Sequence, residues 1–452
     1  MKKYFGTDGI RGVANENILV PEKLVKIGKA IANVFLKEDR KHRILIGKDT
    51  RLSGYMIETS LASGITAMGV DVLLTGPIPT PAVAYLTKSM RADAGIMISA
   101  SHNSYEDNGI KIFAADGFKL PDERELEIEE LFESFELEKM GAKPSDIGKA
   151  TRINDAVGRY TVALKSAFPR ELTLEGFRIG FDCANGAAYV VAPQTCEELG
   201  ADVTSRGTSP NGRNINAGFG SLYPEIMQKL VIEQNLQIGI SLDGDSDRSI
   251  FIDEKGNVHD GDAVLAICAL DLKKRGLLKG NKVVATVMSN IGLEKLLKAN
   301  DIQLIRANVG DRYVLEAMQS EGCNLGGEQS GHTIFSDFST TGDGILTALM
   351  VLAVMARTEK PLSELASVFT RYPQKLVNIN VTDKPALDSI APIKSVIESK
   401  EKELDSNGRI LVRYSGTENK ARVMVECEDE DLCNKHAMDV AEVIERELGG
   451  TV

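Results

Sequence analysis

The chain alternates short apolar runs with longer stretches in which apolar side chains recur every three to four residues, and one order of elements repeats three times. Each repeat reads strand, glycine-bearing loop, helix, second strand, and later a third strand that runs into a polar loop. In the first, Arg43 to Gly47 opens, Asp71 to Leu74 follows, and Ala94 to Ser99 leads into Ser99-Ala-Ser-His-Asn103. In the second, Arg178 to Asp182, Ala201 to Thr204 and Gln237 to Leu242 lead into Asp243-Gly-Asp-Ser-Asp-Arg248. In the third, Lys282 to Thr286, Ile302 to Arg306 and Cys323 to Leu325 lead into Gly327-Glu-Gln-Ser-Gly-His332.

Helix starts agree with this order. Pro21 precedes a stripe of Leu24, Ile27, Ile31, Val34 and Phe35, while Pro81 and Pro224 open Ala82 to Ser89 and Glu225 to Asn235. A residue without an N–H is tolerated in a first helical turn, where that donor has no partner. Gly276 and Gly322 close two more helices. The expected fold class is α/β: three doubly wound domains with mixed or parallel sheets of similar topology, then a smaller α+β C-terminal domain. Ligands of such sheets gather outside the carboxyl ends of the strands, where the three polar loops fall.

The tail reads strand (Leu376 to Val381), helix (Pro385 to Glu403), strand (Arg409 to Tyr414), strand (Ala421 to Cys427) and helix (Asp429 to Leu448). Domains are expected at 1–150, 151–256, 257–371 and 372–452. The acidic stretch Asp122 to Glu138 is expected as a solvated helix face.

At 452 residues the chain exceeds one ordinary core. Its 43% apolar and 26% charged content is that of a soluble globular protein, and Leu346 to Ala356, the longest nearly apolar run, is too short for a bilayer span. No apolar run follows the lysines near the start, so a cytoplasmic protein is expected. Six scattered cysteines without a C-x-x-C pair read as reduced thiols. A net charge of −12 argues against a nucleic-acid partner.

The polar loops carry the chemistry. A period of two in extended chain turns Asp243, Asp245 and Asp247 the same way, and three like charges that close call for a cation. Oxygen-only ligands select magnesium or calcium over zinc, and magnesium suits a site that phosphates complete. A calcium EF-hand is opposed by Arg248, which stands where that loop needs glycine, and by flanks that read as strands; a metal-free acidic turn is the plainer alternative. Ser101, read alone, is a loop-capping hydroxyl. A serine-hydrolase reading lacks a G-x-S-x-G elbow, whereas a serine that carries phosphate needs only a metal and cations around it. Between two tail strands, Arg413, Ser415, Gly416, Thr417 and Arg422 offer backbone, hydroxyl and guanidinium donors for a phosphate. Glu328, Ser330 and His332 suit a polyhydroxylated ligand, while Arg11 and Lys111 are cations that gain meaning only within a site.

Together and in this order, Phe5-Gly-Thr-Asp-Gly-Ile-Arg-Gly12, Ser99 to Asn103, Asp243 to Arg248, Gly327 to His332 and Arg413 to Thr417 resemble the α-D-phosphohexomutase family across all four domains. The resemblance makes Ser101 the serine that is phosphorylated, and Asp243, Asp245 and Asp247, with a phosphoserine oxygen, the magnesium ligands. It makes Glu328 and Ser330 part of a sugar-reading loop and Arg413 to Arg422 a phosphate clamp; Arg11, His102 and Lys111 fall at active-site positions, with the general acid and base left open among them. The resemblance has Arg248 or Lys111 share with magnesium the task of neutralising the moving group. Ser104 replaces a proline common in the family, and Glu418-Asn-Lys departs from its usual clamp run.

The implied enzyme is an isomerase that acts by intramolecular phosphotransfer. Phosphorylated Ser101 gives its group to a hexosamine monophosphate, the bisphosphate turns over, and the other phosphate returns to Ser101. Glucosamine 6-phosphate and glucosamine 1-phosphate are thus interconverted, which supplies UDP-N-acetylglucosamine and cell-wall precursors. Implied cofactors are Mg2+ and the phosphate on Ser101, primed by a hexose 1,6-bisphosphate or by phosphorylation. The expected partner is a small amino sugar phosphate, with no nucleic acid or membrane, for a monomer or homodimer. A phosphomannomutase or phosphoglucomutase shares every mechanistic residue; a non-catalytic sugar-phosphate sensor on the same fold is opposed by the intact Ser101 and aspartates.

Overall fold

The computed structural model describes residues 2–36, 40–415 and 419–449. The threefold repeat appears as three sheets in which the same strand order recurs. In each, the first strand lies between the second and third, both parallel to it, and a fourth strand runs antiparallel to the third. In the first sheet these are Arg43–Lys48, Asp71–Pro77, Ala94–Ile98 and Asp107–Ala114. In the second they are Arg178–Asp182, Asp202–Arg206, Ile238–Leu242 and Ser249–Asp253. In the third they are Lys282–Thr286, Gln303–Ala307, Leu325–Gly327 and Thr333–Phe335. The fourth strand is what the apolar pattern alone does not reveal. It turns each polar loop into a hairpin tip and points all three tips the same way relative to their sheets. The first sheet grows to seven strands by adding Phe5–Gly6, Gly9–Val13 and, at its far edge, Ala150–Arg152.

Alternation along the strands divides the core. Leu45 and Met97 face a continuous apolar interior that runs on through Phe181, Ile240 and Leu242 of the second sheet to Val283, Leu325 and the helix Gly344–Thr358 of the third unit. Their neighbours Ile44, Ile46, Ile96 and Ile98 face a separate core under the helices Pro21–Phe35 and Ser53–Ala67. One shared interior therefore welds three units together. The tail stands apart. Its antiparallel sheet, in the order Gln374–Asn380, Lys420–Cys427, Gly408–Tyr414, closes its own core with the helices Ala391–Leu404 and Glu430–Leu448. It meets the third unit through Glu426, fully buried, whose carboxylate pairs with Arg409 and accepts the Ile291 N–H at 3.1 Å.

The acidic helix Asp122–Glu133 departs from expectation. Glu129 is buried and accepts the N–H groups of Lys3, Tyr4 and Phe5 at 2.6–2.8 Å, and the buried Glu125 pairs with Lys2. These carboxylates pin the amino-terminal segment that leads to Asp8 and Arg11; their partners are distant in sequence, which is why a charge run reads as solvated.

The two helices over the first sheet touch at backbone distance, since a Cβ on Gly64 would lie 2.1 Å from the Val25 carbonyl oxygen. Gly64→Ala should cost roughly 1–3 kcal/mol by overpacking. Gly158→Ala, in the helix Ala156–Ala167 with nothing within 4 Å of the added carbon, should instead stabilise by about 0.5–1 kcal/mol. Denaturant unfolding of both variants beside the parent checks the opposite signs; two equal effects would deny the close helix contact.

Candidate active site at three hairpin tips

Ser101 stands at the first tip with φ of 52°, a left-handed conformation unusual for serine. Its surroundings impose it. The Ser101 carbonyl accepts from Arg51 Nη2 and from Asn216 Nδ2, both at 2.9 Å, and its N–H donates to Ser99 Oγ at 2.9 Å. Ser99 Oγ donates in turn to Asp49 at 2.6 Å, and Asp49 is held by Arg51 Nε at 2.8 Å, all without solvent access. Strain of this kind persists only where neighbours over-determine it. Here it aims the Ser101 hydroxyl at the second tip, where Oγ donates to Asp243 Oδ2 at 2.7 Å.

That second tip is the acidic turn. Asp243, Asp245 and Asp247 are buried, and one carboxylate oxygen of each lies within 4.8 Å of the others. Gly244 lets the turn pass Ser101: a Cβ there would meet the Ser101 carbonyl oxygen at 2.7 Å. The oxygens are unevenly satisfied. Asp243 accepts from Ser101 Oγ and the Arg248 N–H, and Asp245 Oδ2 from Thr80 Oγ1 at 2.6 Å and Lys111 Nζ at 2.8 Å, whereas Asp245 Oδ1 and Asp247 Oδ1 are buried without a hydrogen-bond partner. Buried carboxylate oxygens left bare are what a divalent cation would complete. Burial pushes the Asp243 carboxyl well above the usual range, and Asp247 and Asp245 add to it. Burial also opposes charge on Asp247, but Lys111, His332 and Arg248 hold that carboxyl well below it.

Lys111, on the fourth strand of the first sheet, is buried against three carboxylates: Asp245, Asp8 at 3.2 Å and Asp247 at 3.4 Å. Burial opposes its charge, yet these partners raise its pKa well above that of a free lysine, so it stands as a fixed cation. Arg11 pairs with Asp8. His102 points its Nδ1 at Ser101 Oγ and at Arg248 Nη1, each at 3.3 Å. Burial, helped by Arg248 and Arg11, pushes its pKa down to about 4. Because the Ser101 hydroxyl donates to Asp243, His102 Nδ1 is left to accept from Arg248.

The third tip docks onto the second. Arg248 pairs with His332 as an antiparallel bridge, and the Ser249 N–H donates to the Gly331 carbonyl at 3.1 Å. His332 lies 3.7 Å from Asp247, which raises its pKa against the effect of burial. The Gly342 N–H, however, donates to His332 Nε2 at 3.1 Å, the geometry of a ring with its proton on Nδ1. Glu328 accepts the Gly310 N–H at 3.1 Å, and Ser330 Oγ donates to its other oxygen at 3.3 Å.

The structure thus brings together Ser101, His102, Lys111, Arg11, the three aspartates, Arg248 and the loop of Glu328, Ser330 and His332. The tail residues belong to the separately packed unit. Arg413 and Arg422 are directly paired across two strands, and Arg413 Nη2 lies 4.0 Å from Met288 of the third unit. Ser415 is buried beside them, while Gly416 and Thr417 lie outside the described residues. Five residues of the site are not singled out by the sequence: Asp8, Thr80, Asp49, Arg51 and Asn216. Asp8 was within reach, since it lies inside the Gly6 to Arg11 motif; the rest act through contacts distant in sequence.

Four family descriptions match the chain in order: phosphoglucomutase/phosphomannomutase α/β/α domain I over residues 2–139, domain II over 158–256, domain III over 260–372 and the C-terminal domain over 376–443. Two relatives named phosphoglucosamine mutase are 55% identical: one from Syntrophotalea carbinolica, covering 99% of this chain and 98% of its own, and one from Geobacter metallireducens, covering 100% of both. A phosphoglucomutase/phosphomannomutase family protein from Burkholderia thailandensis superposes with a TM-score of 0.80 at 20% identity, over 99% of this chain and 98% of its own. The N-acetylphosphoglucosamine mutase of Aspergillus fumigatus, solved with GlcNAc-6P and magnesium, gives 0.66 at 17% identity, over 98% of this chain and 96% of its own. With all four domain descriptions matched in order and relatives alike over the full length, the chain belongs to the phosphoglucomutase/phosphomannomutase family.

Proposed function

We propose that this protein is a phosphoglucosamine mutase, with Ser101 as the phosphoryl carrier. The observation that carries the reading is the Ser101 hydroxyl, held in a strained conformation 2.7 Å from Asp243 beside carboxylate oxygens that lack partners; relatives of that name at 55% identity support the activity. The bond between phosphorus and Ser101 Oγ breaks as a sugar hydroxyl bonds to phosphorus; the hydroxyl proton leaves to a nearby base, and Ser101 Oγ takes up a proton in its place. The reverse step returns the other phosphate of the turned bisphosphate to Ser101. Lys111 and Arg248, held in place by the aspartates, offer positive charge to the moving group. Glu328, Ser330 and His332 orient the sugar. Asp243, Asp245 and Asp247 would hold magnesium, which would neutralise charge on the transferred group. Arg413 and Arg422 stand opposite one another across a strand pair, where both guanidiniums could reach one phosphate. A division near 150, 256 and 371 assigns these roles to four domains, which the separate core of the tail supports.

Three outcomes follow from this assignment. Ser101→Ala should abolish interconversion of the two monophosphates even with hexose 1,6-bisphosphate present, and intact-mass analysis should find phosphate on the parent but not on the variant. Ser99→Ala, which removes the acceptor of the Ser101 N–H and one donor to Asp49 but leaves Arg51 on both the Ser101 carbonyl and Asp49, should retain activity within roughly tenfold. Phosphate mapped elsewhere in active protein would end this reading.

Chelator should remove activity and magnesium restore it. Asp245→Asn should lower turnover by at least about a hundredfold while the circular dichroism spectrum stays that of the parent. Full turnover in chelator would refute the metal site.

Arg413→Ala should raise KM and lower kcat, and release bisphosphate that the parent retains, because binding remote from the reacting atoms positions them. Unchanged constants would make the tail loop a plain hairpin.

A further inference from the structure

A ring of close contacts among charged side chains and the His332 imidazole joins the first and third units around the acidic turn, and two of its members have been given no role above. From Lys111 it passes to Asp8 at 3.2 Å, on to Lys119, to Asp311 at 2.5 Å, to His332 at 3.8 Å, to Asp247 at 3.7 Å, and back to Lys111 at 3.4 Å. Lys119 follows the fourth strand of the first sheet, against which it forms a bridge at Phe113. Asp311 opens the helix Asp311–Glu321 of the third unit, directly after Gly310, whose N–H is bonded to Glu328.

Each end of the Lys119–Asp311 contact touches a working part. On the first-unit side, Asp8 gives one oxygen to Lys119 and the other to Arg11 and Lys111, so Lys119 fixes the carboxylate that steadies both cations. On the third-unit side, Asp311 sits between His332 and the residue that anchors Glu328. The pair is mostly sheltered, with side-chain exposures of 15% and 17%, and is therefore less screened than a surface ion pair. A second pair joins the same two units, Arg312 with Asp122; Asp122 is 51% exposed, and Arg312 forms ion pairs with Asp122, Glu125 and Glu316 but none with Asp8.

We propose that the Lys119–Asp311 pair is a positioning latch that holds Asp8 against Lys111 on one side and the Glu328–His332 loop on the other, and so registers the sugar-reading loop on the phosphoryl-carrying loop. It rests on the function proposed above. Adhesion between units is not its purpose, since the outer pair provides that. Its effect is on alignment, where a misplacement of about 1 Å costs on the order of a hundredfold in rate.

The test compares Lys119→Met, Lys119→Arg, the nearly isosteric Asp311→Asn, the Lys119→Met/Asp311→Asn double variant, and Arg312→Met. Lys119→Met and Asp311→Asn should each lower kcat by roughly ten- to a hundredfold with a smaller change in KM. The double variant should be no slower than the worse single one, because both break one contact. Lys119→Arg should recover most of the rate, and Arg312→Met should stay within about threefold of the parent. Hydrogen exchange gives a reading independent of turnover: amides of residues 327–332 should exchange faster in Lys119→Met and Asp311→Asn than in the parent or in Arg312→Met. A parent without mutase activity would defeat the proposed function, and exchange would still decide the latch. Parent-like kcat and exchange in Asp311→Asn, additive losses in the double variant, or an Arg312→Met loss as large as that of Lys119→Met would each overturn it.

Discussion

Three carboxylates on a single turn, shut away from water, repel one another, and each pays for its lost hydration; such a cluster stands only where fixed positive charge surrounds it. Around Asp243, Asp245 and Asp247 that charge comes from the first unit and from the turn itself. Lys111 reaches in from the first unit and Arg248 closes the turn from within, while His332 turns the Nδ1 side of its ring toward Asp247 from the third. The turn's neighbours are then fixed in their own right: Asp8 must sit where it can hold Lys111, and Thr80 must open its helix against Asp245. Two carboxylate oxygens still remain bare, and they mark where the cluster is open to a cation.

The repeated topology is what makes such a meeting possible. In each unit the chemistry lies on the hairpin between the third strand and an antiparallel fourth, so three copies of one arrangement present three tips of different character: a hydroxyl, a set of carboxylates, and a loop of mixed donors and acceptors. A shared apolar interior keeps the units in register. The tips can therefore be short and still meet with ångström accuracy, since each is set on strands that cannot shift without opening that interior.

The tail obeys a different rule. Its core is its own, and its contact with the third unit is polar, built on Glu426, Asn290 and Arg409. Polar junctions between separately packed units resist motion less than a common core does. The phosphate clamp proposed for this unit would thereby be free to follow a ligand whose two ends exchange places.

Much of this was legible in the chain by itself. The period of the apolar positions set the strands and helices, the threefold order set the architecture, and the aspartate spacing foretold three carboxylates gathered at one point, because these signals are local and each rests on the geometry of a few consecutive residues. The fourth strands were not legible, nor the burial of Glu125 and Glu129, nor the parts played by Asp8, Lys119, Asp311, Asn216 and the Asp49–Arg51 pair. A charged residue on a surface and one in a buried ion pair look alike in sequence; only folding, which brings partners together across more than a hundred residues and removes water from between them, decides which it is.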